Sequence, residues 1–269
     1  MSASLGGLLK DYRLQKNVSQ MEIAFSLGWK DAARLSRIEQ GRVEKPDRKL
    51  IDKICRILEL KPQEANHLLL IGAYQPLEEE IKKIRKETSH LINNWKYPAS
   101  IRDFSWRIVH SNDKIFDFYN INDEQRQYIR LHYPSVIEVT FSSHFILNKQ
   151  SLVNKERADQ RKNFLVAMLK DFKYQQRNRT KNKWYIQFVK KMMNNELFRE
   201  LWMRTDEIID PDMDLIVNFA IKKAVSPQDP TKILTLYLTI IPYREDPRFE
   251  VELYNPADLE TFQYFQNLK

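Results

Sequence analysis

The run SQMEIAFSLGWKDAARLSRIEQG, Ser19 to Gly41, constrains this chain more than any other stretch. Ser19 is a good N-cap and Glu22 follows three residues later, the spacing of a capping box, so a helix is predicted to begin abruptly there. Ile23, Ala24 and Leu27 give it one apolar face at helical spacing, and Gly28 suits the left-handed conformation that ends a helix. The small Ala24 lets a following helix cross closely. Asp31 then caps a second helix with Leu35 and Ile38 turned inward, leaving Ala32, Ala33, Arg34 and Arg37 on the opposite side before Gly41 stops it. Two short consecutive helices at a steep angle make a helix-turn-helix.

On these residues, positions 5–75 resemble the phage-repressor (Cro/C1, or XRE) type of helix-turn-helix domain. Gln20 falls where that family keeps the glutamine opening the first motif helix. Ala24 and Gly28 fall on the tight crossing and the turn, and LSRIEQG matches the end of the recognition helix. The family often pairs the positions of Arg13 and Glu39, which implies a salt bridge between them. The segment WKDA after Gly28 is one residue longer than in the shortest members.

In such a motif the second helix enters the major groove of double-stranded DNA, its first residues meeting base edges while flanking groups hold phosphates. Arg34 and Arg37 are the expected direct readers, because a guanidinium can bond both acceptors of a guanine edge. Ala32 and Ala33 offer methyl contact, and Gln20, Lys30, Arg42 and Lys45 are expected nearer the backbone. The other reading of the same residues is a solvated basic face on a helical bundle that docks a protein.

Composition is in keeping with a polyanionic partner: 269 residues with a formal charge of +8 and a pI near 9.3. A second basic run, Lys170 to Lys191, either touches DNA flanks or is a solvated segment between helices. Cys55 is the single cysteine, so an internal disulfide and a cysteine-based zinc site are both excluded, and it is expected in the core. No apolar run reaches membrane-spanning length and the N-terminus does not read as a signal peptide, so a cytoplasmic protein without membrane insertion is expected.

The first domain, 1–75, is expected to be all-α with five helices, closing with Asp47 to Leu60, where Leu50, Ile54, Ile57 and Leu58 form a stripe, and Pro62 to Tyr74, with Ala65, Leu68, Leu69 and Ile71. Residues 76–94 read as a linker helix. Its positions Leu77, Ile81, Ile84, Thr88 and Leu91 are spaced like a short coiled-coil seam, which either packs on its own chain or joins a homodimer.

From residue 95 to 269 the pattern becomes α+β. Tyr97 to Asp103 and Trp106 to Ser111 alternate as a hairpin, and Asn112 to Tyr119 reads as a short helix. Leu215 to Val225, Ile233 to Pro242 and Phe249 to Tyr254 read as further strands, giving an antiparallel sheet completed from both ends of the domain. Two helices, Arg157 to Gln175 and Trp184 to Thr205, are expected to cover one face of it.

The strings YPASIRDFSWRIVHSND and NELFRELWMRTDE, with Tyr97, Pro98, Trp106, Asn112, Phe198 and Trp202 at the matching places, resemble the PAS-like ligand-binding domain of MmyB-type transcription regulators. The His-Pro element of many members is missing and the C-terminal DLETFQYFQNLK is extra. The resemblance implies a long apolar pocket suited to a fatty acid or another apolar small molecule. Ile101, Trp106, Phe116, Phe164, Met168, Phe188 and Trp202 are either walls of that pocket or ordinary core. A charged head group would call for Arg102, Arg107 or a lysine at the mouth.

Catalysis has no motif to rest on: the histidines His67, His90, His110, His132 and His144 are dispersed, and neither a nucleophile motif nor a glycine-rich phosphate loop is present. Asp210, Asp212 and Asp214 read as a polar loop or a cation site. The expectation is a non-enzymatic, dimeric transcription regulator on a palindromic operator, its second domain either sensing an apolar effector or serving as a protein-interaction module.

Overall fold

The structure is a computed structural model that describes residues 4–43, 45–143, 145, 155–205, 219–226 and 232–267. It divides into two units, Met1–Pro76 with Pro242–Phe249, and Leu77–Ile241 with Glu250–Lys269.

Among its described residues the first unit holds five helices, α1 (Leu5–Gln15), α2 (Gln20–Ser26), α3 (Ala33–Glu39), α4 (Arg48–Ile57) and α5 (Pro62–Ile71). The Ser19 hydroxyl accepts the Glu22 amide and the Glu22 carboxylate accepts the Ser19 amide, closing the capping box that starts α2. Gly28 and Gly41 adopt φ of 75° and 70°, the left-handed turns expected after α2 and α3. Leu8, Leu9, Ile23, Leu35, Ile38, Ile51, Ile54, Leu58 and Leu68 form one buried core. The inward stripe of α4 is Ile51, Ile54, Cys55 and Leu58, while Leu50 and Ile57 are only partly buried. Ile54 and Leu58 are buried as expected, and the stripe is completed by Ile51 and Cys55, three before Ile54 and three before Leu58, instead of by Leu50 and Ile57. Burial pushes the Cys55 thiol up to about 12, which leaves it an inert core group.

The implied ion pair is present and buried. Arg13 Nε and Nη2 donate to the two Glu39 carboxylate oxygens at 2.6 and 2.9 Å, Arg13 Nη1 donates to the Val18 carbonyl at 3.0 Å, and Gln20 Nε2 donates to Glu39 at 2.7 Å. One carboxylate therefore fastens the end of α3 to α1 and to the start of α2. Gly6 is buried where α1 passes the carbonyls of Ile38 and Glu39, and a Cβ there would lie inside their contact distance. Within the same unit the buried Arg248 guanidinium bonds both Asp246 oxygens and the Asn66 amide oxygen of α5.

The second unit runs α6 (Glu78–Asn94), β1 (Ala99–Asp103), β2 (Ile108–Ser111), α7 (Asp113–Phe118), α8 (Asp123–His132), α9 (Val136–Phe141), α10 (Lys155–Gln176), α11 (Lys183–Met192), α12 (Glu196–Arg204), β3 (Phe219–Val225), β4 (Ile233–Pro242), β5 (Phe249–Pro256) and α13 (Leu259–Asn267). Its sheet has the order β2-β1-β5-β4-β3, with β1/β2 and β3/β4 antiparallel. The buried stripe of α6 is Ile81, Ile84, Thr88 and Ile92, packed on β1 and β2, whereas Leu77 and Leu91 of the expected seam are about half exposed.

Two expectations are corrected here. The helix read from Trp184 to Thr205 is two, because Asn195 turns its side chain to the Phe198 amide and caps α12, while its amide nitrogen donates to the Phe141 carbonyl. The second concerns the sheet cover: Leu234, Leu236 and Leu238 of β4 pack with Phe116 and Phe118 of α7, Ile129 of α8 and Phe265 of α13. Among the described residues α10, α11 and α12 instead build a separate core with α9. Apolar spacing shows that a helix has a buried side, not which neighbour fills it. Residues 215–218 of the expected third strand, Asp210, Asp212, Asp214 and His144 lie outside the described residues.

The corner from β1 to β2 turns on the buried Asp103, whose carboxylate accepts from the Ser105 amide and hydroxyl and from the Arg107 amide and Nε, at 2.6 to 3.0 Å. These bonds hold Trp106 at φ 66°, a conformation a bulky residue rarely adopts.

Three outcomes are expected in urea unfolding of the full chain. Gly28→Ala meets open space and loses only the backbone term, about 1 kcal/mol, whereas Gly6→Ala drives a Cβ into main-chain oxygens and loses about 3 kcal/mol or more. Arg13→Ala strands a buried carboxylate and lowers stability by about 3–5 kcal/mol, while the apolar pair Arg13→Met with Glu39→Leu recovers most of that. Asp103→Ala, which orphans the donors of the corner, lowers stability by about 2–4 kcal/mol.

Candidate nucleic-acid interface

With Leu35, Ile38 and Glu39 buried, α3 turns Ala33, Arg34, Arg37 and Gln40 outward as one exposed row. The Asp31 carboxylate accepts the Ala33 amide at 2.8 Å, so it caps the helix start although Ala32 occupies the N-cap position. Ala32 is half-buried. The Arg34 guanidinium lies 4.7 Å from the centre of the Trp29 ring, and Arg37 Nε reaches back to the Ala33 carbonyl at 3.4 Å. Both arginines are thus steadied along the helix with their charge at the surface. Gln40, whose amide donates to Ser36 at 2.9 Å, belongs to this row and was missed by the sequence reading, although three residues after Arg37 is the helical spacing that marks it.

Of the other residues expected at the backbone, Lys30 and Arg42 are exposed at the two ends of α3. Gln20 is half-buried and its side-chain nitrogen is engaged by Glu39. Lys45 donates to the Ala73 carbonyl at 3.0 Å and sits 4.7 Å over the Tyr74 ring. The structure therefore gathers Lys30, Ala33, Arg34, Arg37 and Arg42 on or beside one helix, while Gln20 is engaged by Glu39 and the exposed Lys45 bonds the Ala73 carbonyl.

In the second unit Trp106, Met168, Phe188 and Trp202 meet in the core built by α9 to α12, around Phe172. The Phe172 ring is 5.3 Å from Trp106, 5.4 Å from Phe188 and 6.4 Å from Trp202. Phe116 belongs to the sheet core, Ile101 is buried in β1, and Phe164 is 47% exposed. Arg102 and Arg107 are both engaged by carboxylates, Arg102 by Glu250 and Glu252 at 3.1 and 3.2 Å, and Arg107 by Asp103 at 2.6 Å. In the basic run Lys170 to Lys191, Lys173 lies over Trp202 and Arg179 over Phe104, so part of that charge is folded onto aromatic rings.

Among the described residues no helix is long and apolar enough to cross a membrane. No curated protein matches the chain. A family model described as a helix-turn-helix domain matches residues 4–68, the span that contains α1 to α3 and the exposed row of α3. The N-terminal part of this chain matches the helix-turn-helix domain, a match that supports DNA binding.

Proposed function

We propose that the protein is a sequence-specific transcription regulator that binds a palindromic operator as a homodimer, with a PAS-like second domain that senses a small apolar molecule such as a fatty acid. The observation that carries the DNA reading is the exposed row Ala33, Arg34, Arg37 and Gln40 on a helix fixed from behind by Arg13 and Glu39. Arg34 and Arg37 read base edges, Ala33 offers a methyl contact, and Lys30 and Arg42 hold phosphates. The aromatic cluster around Phe172 is the part of the second domain whose chemistry suits an apolar ligand, which would have to part rings that are packed together. A ligand there acts by binding one arrangement of the two heads more tightly than the other, since equal affinity for both shifts nothing.

The DNA reading is tested by fluorescence anisotropy on the selected operator across a salt series. The logarithm of affinity is expected to fall linearly with that of salt, by about 0.9 per phosphate contact, and Arg37→Ala should lose about 1–3 kcal/mol on the operator while keeping most non-specific affinity. A flat salt dependence would remove DNA binding, and an undiminished, still selective Arg37→Ala protein would remove that residue from base reading. For the second domain, native mass spectrometry of the purified protein should show added mass of lipid size that organic extraction removes. Bare protein that stays bare when challenged with fatty acids would instead make the domain a protein-interaction module.

A further inference from the structure

Away from the aromatic cluster, α6, β2, α7 and α8 line a half-open cleft of ≈ 410 Å³ within the second unit. Three cations, Arg85, Lys114 and Arg130, face it with a single carboxylate, Asp113. That carboxylate is already engaged: Arg130 Nη2 donates to it at 2.8 Å, and Arg126 stands 3.8 Å away. Arg130 is further placed by the Phe116 ring, 5.4 Å from its guanidinium. Arg85 Nη1 donates to the Arg130 carbonyl at 3.2 Å, which fixes a guanidinium with more donors than this one bond uses. Lys114 is half-buried and makes no ion pair among the described residues. The cleft widens along α6 past Lys86, also without an ion pair among the described residues, and past Lys82, which is paired with Glu78.

At its floor lies His110, bonded to the Asn93 amide oxygen at 2.9 Å. Burial first, and then the Arg85 and Arg130 charges, push His110 down to about 4, against the opposing pull of Asp113. The imidazole is thus neutral at physiological pH, and the part of its shift that Arg85 and Arg130 supply is sensitive to charge placed beside them.

We infer that this cleft binds a small, multiply charged oxyanion, a phosphate-bearing or polycarboxylate metabolite, through Arg85, Lys114 and Arg130. Neighbouring cations with donors to spare, beside one carboxylate, are the chemistry that recognises such a group. The volume suits a small molecule, and the wall supplied by α6 is the helix that follows the helix-turn-helix unit directly in sequence. The inference is independent of the apolar-ligand reading, since it uses none of the residues around Phe172.

The test follows the His110 imidazole resonance of the full-length protein by NMR, titrated with inorganic phosphate, with citrate, and with chloride at matched ionic strength. Saturable shifts with phosphate or citrate and not with chloride are expected, and the tighter of the two names the oxyanion class. A bound anion offsets Arg85 and Arg130, so the pH at which His110 titrates should rise from about 4 toward its ordinary value when the anion is present. Arg85→Gln and Lys114→Gln should each weaken the anion about tenfold or more with unchanged thermal unfolding and unchanged operator affinity in its absence. Shifts that track ionic strength alone, or full anion affinity in both variants, would overturn the site, and operator binding measured on the same samples keeps that failure separate from a failure of the DNA reading.

Discussion

The Arg13–Glu39 pair is the interaction on which the exposed face of α3 depends. Its geometry is bidentate and buried, and the same carboxylate takes the Gln20 amide while Arg13 also holds the Val18 carbonyl. Four points along the chain are thereby tied to one charge pair: the end of α1, the loop after it, the start of α2 and the end of α3. A buried ion pair is weak evidence of net stability, since desolvation offsets most of the attraction. What it supplies here is direction. Apolar contacts among Leu8, Ile23, Leu35 and Ile38 tolerate small rotations, but two hydrogen bonds to one planar guanidinium do not. Gly6, by letting α1 approach the last carbonyls of α3, and Gly28, by turning the chain, complete the constraint. The side chains of Arg34, Arg37 and Gln40 then project from a helix that cannot roll.

What could be read in advance follows from whether the determining physics is local. The capping box at Ser19 and Glu22, the left-handed glycines and the five helices of the first domain rest on neighbours a few residues apart, and all are visible in the sequence. The outward row of α3 was mostly legible for the same reason, and Gln40 was missed only by stopping the row one turn early. The bonds of Gln20 to Glu39 and of the exposed Lys45 to Ala73 were not legible, because those partners are brought near only by the tertiary fold.

The second domain shows the limit more plainly. Strands β1 and β2 were legible from alternation, β4 from its apolar, β-branched run with β3 and β5 as strands on either side of it, and α10 from its spacing. The partners were not: β4 buries its leucines under α7, α8 and α13, so the C-terminal segment that looked like an addition is part of the sheet's cover. Arg102 and Arg107, attractive in the sequence as head-group ligands, are held by acids, two of them about 150 residues away from Arg102 in the chain. Meanwhile Arg85, His110, Lys114 and Arg130, unremarkable one by one, converge on a single cleft because α6 lies along β2 and α8 contacts that same strand. The domain thus offers two chemically opposite environments, a packed aromatic cluster and a cationic cleft, that need not serve the same molecule.

The central claim is that α3 reads base sequence, and affinity selection from a randomised duplex pool tests it most directly. The account predicts enrichment of an inverted repeat whose half-sites lie about one helical turn, or a multiple of it, apart, with guanines at the positions met by Arg34 and Arg37. A pool that stays random after repeated rounds, while the protein still binds DNA in a salt-dependent way, would contradict it and leave a basic helix-turn-helix fold that holds the backbone without reading the bases.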